Sequence, residues 1–166
     1  RRERERDDAR VVDEDDRPGR LWLVRVRPDA EGRLTGRKLL ATGFSVGGAA
    51  DPTAPDSIAF SPDGRTIAFS HTPRPVINDW PSSDISLADV ATAPPAFAAT
   101  GAAETSPLFS PDGRFLAYVV TDEPPRWAHR ENIRLAPLDV SAGPGRTLPA
   151  SFDESPELAG FSADGA

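Results

Sequence analysis

The pentapeptide Gly43-Phe-Ser45-Val-Gly47 has the G-x-S-x-G spacing with which a tight strand-to-helix turn presents a serine oxygen to a base, and His71 follows it in chain order. The chemistry of such a pair would be acyl transfer. Its context argues against that use. An elbow needs a helix directly after the serine, and Gly48-Ala-Ala-Asp-Pro-Thr-Ala-Pro55, interrupted by Pro52 and Pro55, does not form one. The sequence therefore predicts a flexible connector around Ser45 and no nucleophile. His71 and His129 lie in loops at different offsets from the nearest repeated landmark, and no third ligand accompanies them. They read as exposed loop histidines rather than as metal ligands or a general base. Asp13-Glu-Asp-Asp16 lacks the sixth-position Gly and twelfth-position Glu of a calcium loop. Neither a metal nor a cofactor is expected, and no catalytic residue is assigned within the chain.

Large aromatics in two similar proline-rich loops are better candidates for contact with another molecule. Trp80 lies in His71-Thr-Pro-Arg-Pro-Val-Ile-Asn-Asp-Trp-Pro81 and Trp127 in Asp122-Glu-Pro-Pro-Arg-Trp-Ala-His129. Loops on a rigid scaffold commonly carry function. Asp79, Trp80, Arg126 and Trp127 are thus the candidate residues for gating a substrate or meeting a neighbouring domain. The competing role for either Trp is packing over a sheet edge.

These loops hang on a repeat. Ser57-Ile-Ala-Phe-Ser-Pro-Asp-Gly-Arg-Thr-Ile-Ala-Phe69 returns about fifty residues later as Ser106-Pro-Leu-Phe-Ser-Pro-Asp-Gly-Arg-Phe-Leu-Ala-Tyr118, and Gly160-Phe-Ser-Ala-Asp-Gly165 begins it again. In Ser61-Pro62-Asp63-Gly64 each residue suits one position of a type I turn closed by a left-handed glycine, a hairpin connection. A buried strand is predicted after each turn, then alternating strands at Asp84–Val90 and Asn132–Leu138, with a short fourth strand near Pro95–Ala98 and Arg146–Leu148. Leu21–Val26 and Lys38–Leu40 match the third and fourth strands of an incomplete preceding unit.

Four short antiparallel strands in every fifty or so residues predict an all-β chain, a β-propeller fragment of about three four-stranded blades with the ring not closed. The expected division places the end of a preceding blade at 1–48, blades at 49–100 and 101–150, and the start of another at 151–166, all within one propeller domain. Net charge is −7 and no basic patch interleaves with aromatics, so nucleic acid is not an expected partner. No apolar run reaches the length of a membrane span, so no membrane partner is evident. The absence of Cys removes disulfides, thiolate metal sites and Cys nucleophiles, and favours a cytoplasmic location. The mixed charges of residues 1–20 read as a solvated lead-in to Leu21.

The phrase Phe-Ser-Pro-Asp-Gly-Arg followed by an apolar strand resembles the repeats shared by TolB-type propellers and by the N-terminal propeller of prolyl oligopeptidase (S9) serine peptidases. The lead from Asp8–Asp16 into Leu21-Trp-Leu-Val-Arg-Val26, with the loops around Asn78-Asp-Trp80 and Pro124-Pro-Arg-Trp127, resembles the acylaminoacyl-peptidase-like members most. The resemblance implies a noncatalytic, substrate-gating propeller that covers a C-terminal α/β-hydrolase domain of the same protein, which would carry the Ser, Asp and His and cleave peptide substrates. The alternative it leaves open is a TolB-like propeller serving as a protein-binding scaffold.

Overall fold

A computed structural model describes residues 18–24, 26–33, 36–39, 43–47, 57–91, 102–121, 131–138, 145–148 and 154–165. The expected strand near Pro95–Ala98 lies outside the described residues. Among the described residues the chain is mostly β, its strands antiparallel, with a short 3-10 helix at Ile77–Ser82. In chain order the strands are β1 Trp22–Val24, β2 Arg37–Leu39, β3 Ser45–Val46, β4 Ile58–Phe60, β5 Thr66–Thr72, β6 Asp84–Asp89, β7 Glu104–Phe109, β8 Phe115–Thr121, β9 Glu131–Pro137 and β10 Arg146–Leu148.

Strands β1 and β2 form a two-stranded sheet. In a first four-stranded sheet, β5 pairs with β3 and β4 along one edge and with β6 along the other. The second has the order β10-β9-β8-β7. The two larger sheets are equivalent. Ile58 faces Phe69 across β4 and β5, while Val46 faces His71 as Glu104 faces Val120. His71 and Val120 lie equally far beyond their turn serines, so β3 and β4 together occupy the place of the single strand β7. Within β7 the two halves are joined by a bulge between Thr105 and Leu108, where Ser106 takes φ 54°. The Ser45 segment is therefore a sheet strand and not the connector its glycines suggested; Val46, 4% exposed, is held by packing.

Each of β5 and β8 is buried on both faces, which explains their near-continuous apolar runs. One face of the first sheet packs through Ala68, Ile85, Ala59 and Leu87 onto Phe109, Leu116, Tyr118, Val120 and Ala136 of the second. Its other face, carrying Val46, Ile67, Phe69 and Ala88, packs onto Leu21 and Leu23. The layers thus follow the chain order. At Gly19 the backbone runs so close to β3 that a Cβ would collide with the Val46 carbonyl, and the Val46 N–H donates to the Gly19 carbonyl at 3.1 Å.

The repeated turn is built alike each time. The Gly64 and Gly113 N–H groups donate to the Ser61 and Ser110 carbonyls at 2.9 Å, with φ of 68° and 69°. The serine hydroxyl donates to the aspartate at 2.6 Å and accepts the N–H of the first residue of the next strand. In Ser162–Gly165 the same serine–aspartate bond is made without a proline at the second position. Successive turns also stack: a Cβ placed on Gly113 would lie 3.7 Å from Pro62, and one on Gly165 3.9 Å from Pro111.

The Ser110 hydroxyl, followed by the Arg114 N–H, lowers the Asp112 pKa to about 2. Because the folded value lies below the ordinary one, this contribution to stability is complete above the ordinary carboxylate range and is lost as the pH falls through about 2. Ser110→Ala is expected to raise the Asp112 pKa toward its ordinary value, measured by NMR titration of the carboxyl carbon. An unchanged titration would show that the hydroxyl does not set it.

Candidate functional site

Ser45 and His71 sit on adjacent strands, but the pleat separates them. Ser45 lies opposite Thr72 and Val46 opposite His71, so the serine and histidine side chains leave opposite faces of the sheet. Ser45 is 2% exposed, and its hydroxyl accepts the Gly19 N–H at 2.9 Å. The His71 ring stacks on Phe44 with centroids 4.1 Å apart, and its Nε2 is 2.9 Å from the Ser86 hydroxyl. Burial lowers the His71 pKa, which favours a neutral ring. His71 is accordingly not the exposed loop residue expected of it: it lies within β5, next to its last residue, half-buried against two aromatic rings. No nucleophile–base pair results from this placement.

Of the candidate contact residues, Asp79 and Trp80 stand together in the 3-10 helix between β5 and β6. Asp79 receives two hydrogen bonds from Arg74, Nε to Oδ2 at 3.1 Å and Nη2 to Oδ1 at 3.0 Å, a bidentate clamp across the loop. The Arg74 side chain remains 63% exposed while that of Asp79 is 13% exposed, so the carboxylate fixes the guanidinium from beneath. Trp80 is half-buried, and its carbonyl accepts the Ser83 N–H at 3.0 Å where the helix ends. Arg126, Trp127 and His129 lie outside the described residues.

Sequence reasoning missed a buried polar group between the two large sheets. Glu104 is fully buried at the start of β7, and its N–H donates to the Ser83 carbonyl at 2.9 Å. On the same face of the second sheet stand Tyr118 and, directly across from it on β9, Arg134. Burial first, and then the charge of Glu104, push the Tyr118 pKa up to about 12, with the charge of Arg134 opposing. The matching positions of the first sheet hold Val46, Phe69 and Ser86. One repeat therefore places a carboxylate, a phenol and a guanidinium where the other places two apolar side chains and a hydroxyl. Aligning the two repeats through the β3–β4 break would have exposed this change; the break itself hid it.

A second feature is shared by all three repeats. Ile58, Pro107 and Ala159 each lie three residues before a turn serine, and together with Ala59, Leu108 and Leu158 they line one cleft of about 230 Å³. The strained Ser106 borders it. Among the described residues no cluster of His, Cys, Asp or Glu could hold a metal ion, and no helix is long and apolar enough to cross a membrane.

No protein-family model matches the chain, and no curated protein or solved structure does so either.

Proposed function

We propose that the chain is part of a β-propeller and serves as the noncatalytic, substrate-gating segment of a serine peptidase of the prolyl oligopeptidase family. Peptide hydrolysis would belong to an α/β-hydrolase domain outside residues 1–166. The observation that carries the propeller is the convergence of equivalent residues, Ile58, Pro107 and Ala159, on a single cleft. Strands nearest the axis of a propeller meet in this way. The stacked turns, with Pro62 beside Gly113 and Pro111 beside Gly165, support the same radial order. The peptidase assignment rests on the resemblance of the repeat phrase and its proline- and tryptophan-rich loops, and on the placing of Asp79 and Trp80 at the loop end of the first large sheet.

A gating segment must influence which peptides enter without touching the bond that breaks. In the intact protein a fluorophosphonate probe is expected to label a serine outside this segment and to leave Ser45 unlabelled, since Ser45 is buried and bonded to Gly19. Trp80→Ala is expected to change the ratio of cleavage rates for short and long peptides by roughly threefold or more while probe labelling stays near wild type. Absence of any labelled serine would overturn the peptidase reading in favour of a TolB-like binding scaffold. An unchanged ratio would return Trp80 to packing.

A further inference from the structure

On the loop side of the first large sheet, Pro18, Phe44, Pro73 and Pro75 wall a cleft of about 310 Å³ into which Arg20 and Arg74 also face. In a chain of net charge −7, the two charged residues lining this cleft are both arginines. Its walls are stiff for identifiable reasons. Three are prolines, and the Phe44 ring is stacked on His71, itself bonded to Ser86. Asp79 clamps the Nε and Nη2 edge of Arg74 and so fixes the plane of a guanidinium that stays largely exposed. Arg20 reaches the Phe44 carbonyl at 3.5 Å, which brings the second guanidinium to the same cleft.

We propose that this cleft binds the C-terminal carboxylate of a peptide whose last side chain is apolar. A fixed guanidinium matches a carboxylate in charge and planar geometry, better than a lysine would. The net charge of Arg20, Arg74 and Asp79 remains positive, so the site attracts an anion even with Asp79 in place. A cleft of this size walled by proline and phenylalanine accepts an apolar side chain beside that carboxylate. Selection of a peptide end, rather than another carboxylate, rests on the peptide-handling role proposed above. The preference for an anion does not.

The test is a titration of the intact protein with N-acetyl-alanyl-phenylalanine and with its C-terminal amide, followed by NMR at the Gly43 and Phe44 amides. The acid is expected to bind at least tenfold more tightly than the amide, and to weaken in high salt. Arg74→Gln and Arg20→Gln are each expected to lower affinity several-fold, whereas Arg114→Gln, at a turn on the opposite end of the strands, leaves it unchanged. Equal binding of acid and amide, or equal losses in all three variants, would overturn the proposal. Neither readout requires hydrolysis, so failure of the peptidase reading and failure of this site would be told apart by the probe labelling.

Discussion

Glu104→Met is expected to destabilise the protein by about 3–5 kcal/mol, far more than its modest change in volume would cost. The side chain it replaces is fully buried, and the methionine keeps its length, so cavity formation contributes little. What is lost is the negative charge facing Arg134 and Tyr118 across β7, β8 and β9. The half-buried Arg134 would then keep its charge beside Tyr118 without the opposing charge of Glu104. Glu104→Met combined with Tyr118→Phe and Arg134→Met removes the whole group, and its stability is expected within about 1 kcal/mol of wild type, because a buried ionic group and a well-packed apolar one are often nearly equivalent. Urea denaturation of the wild type, the single variant and the triple variant measures this. A single substitution no more costly than the triple one would show that the cluster is not electrostatically coupled. The Tyr118 phenol gives a second readout: since the Glu104 charge helps to raise its pKa to about 12, Glu104→Met alone should lower it, measurable by ultraviolet titration.

The sequence disclosed those parts of the fold that are settled locally. Ser61–Gly64 and Ser110–Gly113 carry their whole turn within a few residues, each with its glycine, aspartate and hydroxyl in place, and the adjoining strands β5 and β8 announce themselves as apolar runs. Strand β3 was illegible for the opposite reason. Ser45 and Val46 are held by pairing with Thr72 and His71 and by the contact of Val46 with Leu21 and Phe69, none of which is near in sequence. Local signals there, glycines and nearby prolines, pointed to a connector, and tertiary packing overrode them. His71 was misread similarly, as a loop residue, because the ring that covers it, Phe44, comes from that same unrecognised segment. At the candidate site the sequence pointed to Asp79 and Trp80 through residue type, but not to Arg74, which meets Asp79 only when the loop folds back. Glu104 gave no periodic signal, since a single acid before an apolar strand is indistinguishable from a solvated strand end until the facing sheet covers it.

Phe60 and Phe109 occupy the same place in consecutive repeats and yet differ in environment, which makes them a direct test of the propeller. Phe109 is 7% exposed, packed with Ala68 and Ile85 of the preceding sheet, whereas Phe60 is 57% exposed on the face where β1 and β2 leave it uncovered. Phe109→Ala is therefore expected to cost about 3–5 kcal/mol, the lost transfer of a buried ring plus the cavity left between two sheets. For residues 1–166 alone, Phe60→Ala should cost less than about 1 kcal/mol, since most of its ring is already in water. A propeller changes that second number. In the intact protein the proposed ring places the inner hairpin of another repeat on Phe60, as the first sheet is placed on Phe109, and seats a turn proline beside Gly64 as Pro62 sits beside Gly113. Phe60→Ala would then cost nearly as much as Phe109→Ala in urea denaturation of the intact protein. A cost that stays small there, with Phe109→Ala still large, would mean that the Ile58–Phe60 face is never covered, and the ring would have to be abandoned for an open stack of sheets.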